Sequence, residues 1–410
     1  MNKIDTNPQN ELLDCYMRGD YGLFSALVDE GVNLNCLNES NFSLISIVIE
    51  NPNNLKNNKK FFNKLISAGV SLEQVGWEED LLTVCVKYQK DLYYAKKLIK
   101  NKININAIGV SREYYDEYEE YDEYDEPYQC RGVVNFSYGP PIFEALKHKK
   151  IDYFDLFLKN KADVSMVNSI GDSILIFFIN NCIDKYSNRN FNKIFRTLLD
   201  YKIDHNIRDD DGADVLNLMS AYGLDDLIRV YFKKIKNIDV NSRDNEGNTN
   251  LIQSISSDNY LSLCTKLLVE NNANLDTYSL WGTNALIRCV RFGNTHTLRY
   301  LINNGINLTS IDEFGNNIIH YIAGRDDYWD GTKYDKYYRI ILTKQPELLL
   351  QENDSGITPI DMMKENDIYY GEKRKLINKF KKKARELEKA EIAKTKKMAK
   401  LAKKTRAAKM

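Results

Sequence analysis

A five-residue pattern recurs along the chain: a small or polar residue, then apolar, polar, apolar and polar residues in alternation. Copies begin at Gly31, Gly69, Lys102, Lys161, Lys202, Asn237, Asn272 and Gly305, as in Asn272-Ala273-Asn274-Leu275-Asp276. Consecutive copies are 33 residues apart twice and 35 apart twice, and further apart where loops are inserted. Each copy follows an apolar stretch of helical spacing, such as Leu298, Leu301 and Ile302. A period of this size constrains the architecture more than any local motif does. One such unit cannot bury its own apolar face, so units must stack on their neighbours.

Three further positions keep the same register. Ten residues beyond the starting points stand Gly171, Gly212, Gly247, Gly282 and Gly315; Gly356 extends the series, and Asn41 takes the place in the first unit. Two residues later comes a residue suited to cap a helix N-terminus: Ser43, Ser173, Asp214, Thr249, Asn284, Asn317 or Thr358. Two more residues on stands an aliphatic: Ile45, Leu175, Leu216, Leu251, Leu286, Ile319 or Ile360. The register predicts a tight turn with left-handed backbone, a capped helix start and the first core residue of a short helix.

At these positions the chain resembles the ankyrin repeat family, whose unit is a hairpin loop followed by two antiparallel helices. The family's D-x-x-G turn is matched at Asp209 to Gly212, Asp244 to Gly247 and Asp312 to Gly315. Its threonine-proline-leucine-histidine helix start is best kept as Thr358-Pro359-Ile360-Asp361. It is worn down at Thr249-Asn250-Leu251-Ile252, Asn317-Ile318-Ile319-His320 and Pro140-Pro141-Ile142-Phe143, and only His320 keeps the histidine. The resemblance implies an all-α solenoid of about nine or ten units over residues 1–370. The tail over 371–410 lies outside it and is expected to be a basic helix, since from Glu372 on it has neither proline nor glycine and is rich in Ala, Lys, Leu, Glu and Arg. An Asn-, Lys-, Ile- and Tyr-rich chain of this style is similar to ankyrin chains of large DNA viruses and intracellular bacteria. The family implies a protein partner held on a concave face and at the hairpin tips, with no cofactor and no metal.

Charge divides the chain. Residues 371–410 hold 17 Lys/Arg against 4 Glu, whereas the whole chain has a formal net charge of −1, so the body is acidic and the arm basic. Every residue from Glu113 to Glu126 is Glu, Asp or Tyr, which predicts a solvated insertion spanning about 111–130. No apolar run is long enough to span a membrane, and Met1 to Asn10 lack the apolar core of a secretion signal. Seven scattered cysteines with no C-x-x-C pair fit a reducing compartment. An intracellular site is expected, cytoplasmic or nuclear, and in a host cell or virion if the chain is viral.

Catalytic chemistry is disfavoured. The four histidines, His148, His205, His296 and His320, fall in different units, and none has a cysteine at zinc spacing. Cys182, Cys264 and Cys289 lie in apolar stretches and read as small core residues. The glycines follow the repeat period instead of forming a phosphate-cradling loop.

The residues just before the turn glycines should stand at loop tips. Trp281, Phe314 and Ile170 put large apolar groups there, either as interface anchors or folded onto the adjacent loop. Asp209, Asp210, Asp211, Asp244 and Glu246 make the same edge acidic, which favours a basic partner or simple solvation.

In the arm, Leu376, Ile377 and Phe380 are expected to cap the last repeat, leaving the chain beyond about Lys381 exposed and frayed. The clusters Lys373-Arg374-Lys375 and Lys381-Lys382-Lys383 fit an import signal, a non-specific nucleic-acid or anionic-surface contact, or a solubilising tail.

Overall fold

The computed structural model describes residues 8–35, 37, 42–51, 58–73, 80–108, 139–182, 188–256, 260–325, 334–366 and 371–407. The acidic tyrosine-rich insertion at 111–130 and the turn residue Asn41 lie outside the described residues.

The expected helix pairs are present, and the described residues contain no strands, only isolated bridges that close hairpin loops, such as Arg243 with Thr249 and Ile311 with Asn317. The chain divides into two compact units, 1–210 and 211–410. In the first, the pairs are α1 (Pro8–Arg18) with α2 (Tyr21–Asp29), α3 (Leu44–Glu50) with α4 (Asn58–Ser67), and α5 (Leu81–Tyr88) with α6 (Tyr93–Lys100). Then follow α7 (Pro141–Lys147) with α8 (Ile151–Lys159), and α9 (Ile174–Cys182) with α10 (Asn188–Leu198). The second unit pairs α11 (Val215–Ala221) with α12 (Asp225–Lys234), α13 (Asn250–Gln253) with α14 (Leu263–Glu270), and α15 (Ala285–Phe292) with α16 (Thr295–Asn303). It ends with α17 (Ile318–Arg325) and α18 (Asp335–Lys344), a 3₁₀ turn at Pro346–Leu349, and α19 (Pro359–Glu365) with α20 (Gly371–Ala407).

First helices stack on first helices: α3 on α5, α5 on α7 and α7 on α9 in one unit, then α11 on α13, α13 on α15, α15 on α17 and α17 on α19 in the other. The core runs along each stack. All seven aliphatics expected to start it, from Ile45 to Ile360, are buried. Their helices begin where the capping residues predict. The side chains of Ser43, Asp214, Thr249, Asn284 and Thr358 each accept a main-chain N–H of the following turn, which satisfies a donor with no partner inside the helix.

Polar side chains stitch consecutive pairs together. The last residue of the five-residue pattern accepts the main-chain N–H of the third residue of the next copy. Asn35 takes Ser71 N–H at 2.7 Å, Asn106 takes Asp163 N–H at 2.8 Å, Asn241 takes Asn274 N–H at 2.7 Å and Asp276 takes Asn307 N–H at 2.8 Å. Within each copy the third residue accepts the N–H two positions on, as Asn274 does from Asp276 at 3.0 Å. His320 also joins neighbours: its Nδ1 accepts Asn317 N–H at 3.1 Å and its Nε2 lies 3.0 Å from the Ile357 carbonyl oxygen. In the α11 unit Asn217 stands at that histidine's place and donates to Asn250 Oδ1 at 2.7 Å.

The arm follows α19 and packs on the elements before it. Leu376, Ile377 and Phe380 are buried where α20 packs on α18 and on the Pro346–Leu349 turn. Burial extends one turn further than Phe380, to Ala384, because the apolar stripe continues at helical spacing; beyond it residues 385–399 are exposed, and α20 is assigned to Ala407. Lys373 is buried, its ammonium 5.9 Å from the centre of the Tyr338 ring, so it does not share the exposure of Arg374 and Lys375. Among the described residues no helix is long and apolar enough to cross a membrane.

Candidate functional site

The hairpin loops of the second unit form an edge whose backbone is fixed from within. At one turn Asp244 Oδ1 accepts Glu246 N–H at 3.0 Å and Asn248 N–H at 2.8 Å. Its Oδ2 accepts the amides of Asn248 at 3.1 Å and Gln253 at 2.8 Å. Asp312 repeats the arrangement: Oδ1 accepts Phe314 N–H at 2.9 Å and Asn316 N–H at 2.7 Å, and Oδ2 accepts the Asn316 amide at 3.1 Å and the Tyr321 hydroxyl at 2.8 Å. Burial opposes ionisation of Asp312, but the bond from Tyr321 and those from Asn316 and Phe314 outweigh it and hold the carboxyl below its usual range. These aspartates spend their oxygens on the turn. Asp244, a candidate for partner contact, therefore serves the loop's shape first.

Neighbouring tips are joined through main chain. Asn245 N–H donates to the Asp211 carbonyl at 2.8 Å, Leu280 N–H to that of Glu246 at 2.8 Å, and Asp354 N–H to that of Phe314 at 3.0 Å. The approach is so close that a Cβ on Gly247 would sit 3.0 Å from Leu280 N, and one on Gly315 would sit 2.9 Å from Asp354 N. Both glycines also have φ of +74°. Among the described residues the series is interrupted between Trp281 and the next tip: no main-chain bond links the two, and a Cβ on Gly282 would meet nothing within 4 Å.

The side chains just before the turn glycines then point out of a rigid edge. In order they are Asp211, Glu246, Trp281, Phe314 and Ser355. Trp281 is 76% exposed and Phe314 62%, so neither folds down onto an adjacent loop. Leu280, 73% exposed, stands beside Trp281 and escaped the sequence reading, which considered only the residue directly before each glycine. An apolar pair at a turn tip was the available signal.

In the first unit Ile170 is 49% exposed at its own tip. Asp210 is exposed there and Asp209 half-buried, with Oδ2 of Asp209 3.4 Å from the Asn180 amide nitrogen. Asp172, buried nearby, has its carboxyl pushed up to about 6 by burial; the Asn168 amide opposes the shift, and Asp209 and Asp210 add to it. The acidic run Asp209-Asp210-Asp211 thus straddles the division between the two units and is not a single patch within one of them.

Of the arm's clusters, Arg374, Lys375, Lys382 and Lys383 are exposed, Lys381 is half-buried and Lys373 is buried. Lys375 pairs with Glu372 at 2.6 Å, and Lys383 Nζ donates to the Thr343 carbonyl at 3.2 Å.

Among the described residues no three His, Cys, Asp or Glu side chains could hold a metal ion. Cys264 and Cys289 are buried, and burial pushes both thiols up, Cys264 to about 12, which leaves them protonated and unreactive. The Cys182 side chain lies outside the described residues.

Residues 251–330 match the family model of ankyrin repeats, in three copies. No curated protein sequence matches the chain. Among solved structures the chain is similar to the ankyrin repeat domain of Bcl-3, described as a unique member of the IkappaB protein family. The identity is 16% and the TM-score 0.45, over 56% of this chain and 98% of that one. Together the repeat match and the stacked, turn-linked helix pairs assign the fold class: all-α, of the ankyrin-repeat type. Repeats of this kind generally mediate protein–protein interaction.

Proposed function

We propose that the chain is a non-enzymatic scaffold that holds a protein partner on the hairpin edge and the adjoining concave face of its repeats. The observation that carries this reading is the exposure of Trp281 and Phe314 on consecutive tips whose backbones are held by the Asp312 turn and by bonds to neighbouring tips. Large aromatics on a rigid support lose little entropy on binding and are the usual anchors of interfaces. Glu246 beside them, with Asp244 and Asp211, favours a basic partner. Ile170, Asp209 and Asp210 extend the same role to the first unit. An intracellular setting belongs to this reading, in a host cell if the resemblance in composition to viral ankyrin chains reflects the source. The test is a photoreactive side chain placed at 281 or 314 in the full chain. It should crosslink a protein in cell extract, whereas the same group at exposed Arg299 on α16 should not. Equal labelling at all three positions would remove the edge from the reading.

A second reading has one observation behind it. Every position of α20 from 385 to 399 is exposed, and Lys394 to Lys409 contains eight Lys/Arg and no acid, a form suited to nucleic acid or another anionic surface. Retention on DNA that is unchanged after charge reversal at Lys394, Lys396 and Lys397 would dismiss it.

A further inference from the structure

We propose that the free distal half of α20 docks on the hairpin edge of a second copy of this chain, seating its apolar residues against Leu280, Trp281 and Phe314. The proposal rests on reading that edge as a protein-binding face, and names the segment that covers it.

The two surfaces complement each other. Leu280, Trp281 and Phe314 flank a break in the main-chain stitching between tips of this unit, where Gly282 faces open space. Exposed carboxylates stand on the same and adjacent tips at Glu246, Glu313 and Asp354. On α20 the exposed apolar residues are Leu387 and Ile392, among Arg385, Lys389, Glu386, Glu388 and Glu391, and Met398, among Lys394, Lys396 and Lys397. Leu387 and Met398 are 11 residues apart, which places them on one helix face about 16 Å from each other. The acidic edge with its apolar anchors thus complements the lysine-rich stretch of α20 around Met398, with the glutamates around Leu387 turned from the carboxylates. These charges set both the orientation and a dependence on salt.

The helix does not satisfy its own chain. Burial of Leu376, Ile377, Phe380 and Ala384 fixes the proximal half on α18 and the Pro346–Leu349 turn. No proline or glycine follows Gly371, so nothing in the sequence favours a bend that would return the distal half to the edge. From Arg385 to Ala399 no described side chain of α20 is covered. A second copy meets no such restraint. Because the contact joins two different surfaces, two chains can exchange arms reciprocally or add in open series.

Sedimentation of the purified full chain tests this. At low ionic strength the chain should associate as concentration rises, and the association should be lost at high salt. Trp281→Ala with Phe314→Ala (edge variant) should weaken it by at least about tenfold. Charge reversal at Lys394, Lys396 and Lys397 (arm variant) should abolish it, and so should Leu387→Glu with Met398→Glu, while far-UV circular dichroism confirms that the repeats stay folded. The decisive sample mixes the edge variant with the arm variant. One supplies an intact arm and the other an intact edge, so the mixture should associate more strongly than either variant alone. A monomeric wild-type chain at low salt, or association untouched by either set of substitutions, overturns the proposal. If the wild type stays monomeric while a photoreactive group at 281 still captures another protein, only this inference falls. If neither happens, the edge reading falls with it.

Discussion

The Asn241 side-chain carbonyl accepts the main-chain N–H of Asn274 at 2.7 Å, across 33 residues and between two consecutive repeats. Asn274 in turn accepts the N–H of Asp276, and Asp276 reaches the next repeat at Asn307. Each copy of the pattern therefore folds its own turn and binds its neighbour with the same few atoms.

Asn241→Ala removes one rung of this ladder while the Asn274 N–H remains exposed to water. The expected loss is about 0.5–1.5 kcal/mol, the usual net value of one hydrogen bond. Urea unfolding should show a lower midpoint with an unchanged slope, and Asn241→Asp should retain most of the stability because it keeps the acceptor.

Gly247→Val combines two penalties. The backbone there has φ of +74°, and an added Cβ would sit 3.0 Å from Leu280 N. The left-handed backbone alone costs about 1–2 kcal/mol, and the displaced tip adds to it. Thermal unfolding should shift down clearly. Gly282→Ala has the backbone penalty without the collision and should cost less.

His320 must be neutral to accept the Asn317 N–H at Nδ1. Burial lowers its affinity for a proton, against the pull of the Ile357 carbonyl and of Asp312. A base whose folded-state pKa is depressed gives its full stability above the unfolded value of about 6.5, and loses it as pH falls through the lower folded value. The difference in stability between wild type and His320→Gln should therefore shrink below pH ~6.5. A difference that grows on acidification would reverse the assignment of Nδ1 as acceptor.

Asp172 works in the opposite sense. Its carboxyl is raised to about 6 chiefly by burial, so the folded state holds a proton that the unfolded state has released. Its contribution to stability is present below the unfolded value of about 4 and is lost as pH rises through about 6. At neutral pH the buried charge is a cost, and Asp172→Asn should stabilise the chain by up to about 3 kcal/mol. Little or no gain should remain at pH ~4. Paired denaturation curves at the two pH values check both halves.

Ile377→Ala cuts the anchor of α20, where the side chain is fully buried. A loss of about 2–5 kcal/mol is expected for such a truncation. Hydrogen exchange should report it first in α20 and the Pro346–Leu349 turn.

Much of the repeat was legible because each signal is local. Gly247 is required by its own backbone angle, Thr249 caps the helix that starts beside it, and Leu251 begins the core two residues on. None of these needs information from a distant residue. The burial of Lys373 has the converse origin: its neighbours Arg374 and Lys375 are exposed, and only the docking of α20 against Tyr338 decides that Lys373 is not. Leu280 was legible as half of an apolar pair with Trp281, but that it stays 73% exposed depends on where the next tip lies.

The sequence alone determined the period, the turns, the caps and the core face, all of which are set by interactions within a few residues. Tertiary structure decided which polar atoms were already spent and which side chains stayed in water. Asp244 and Trp281 both read as candidates at loop tips, but the carboxylate is consumed by Asn248 and Gln253 while the indole stands free. The physical reason is that solvation and hydrogen-bond saturation depend on packing between repeats, which no single repeat encodes.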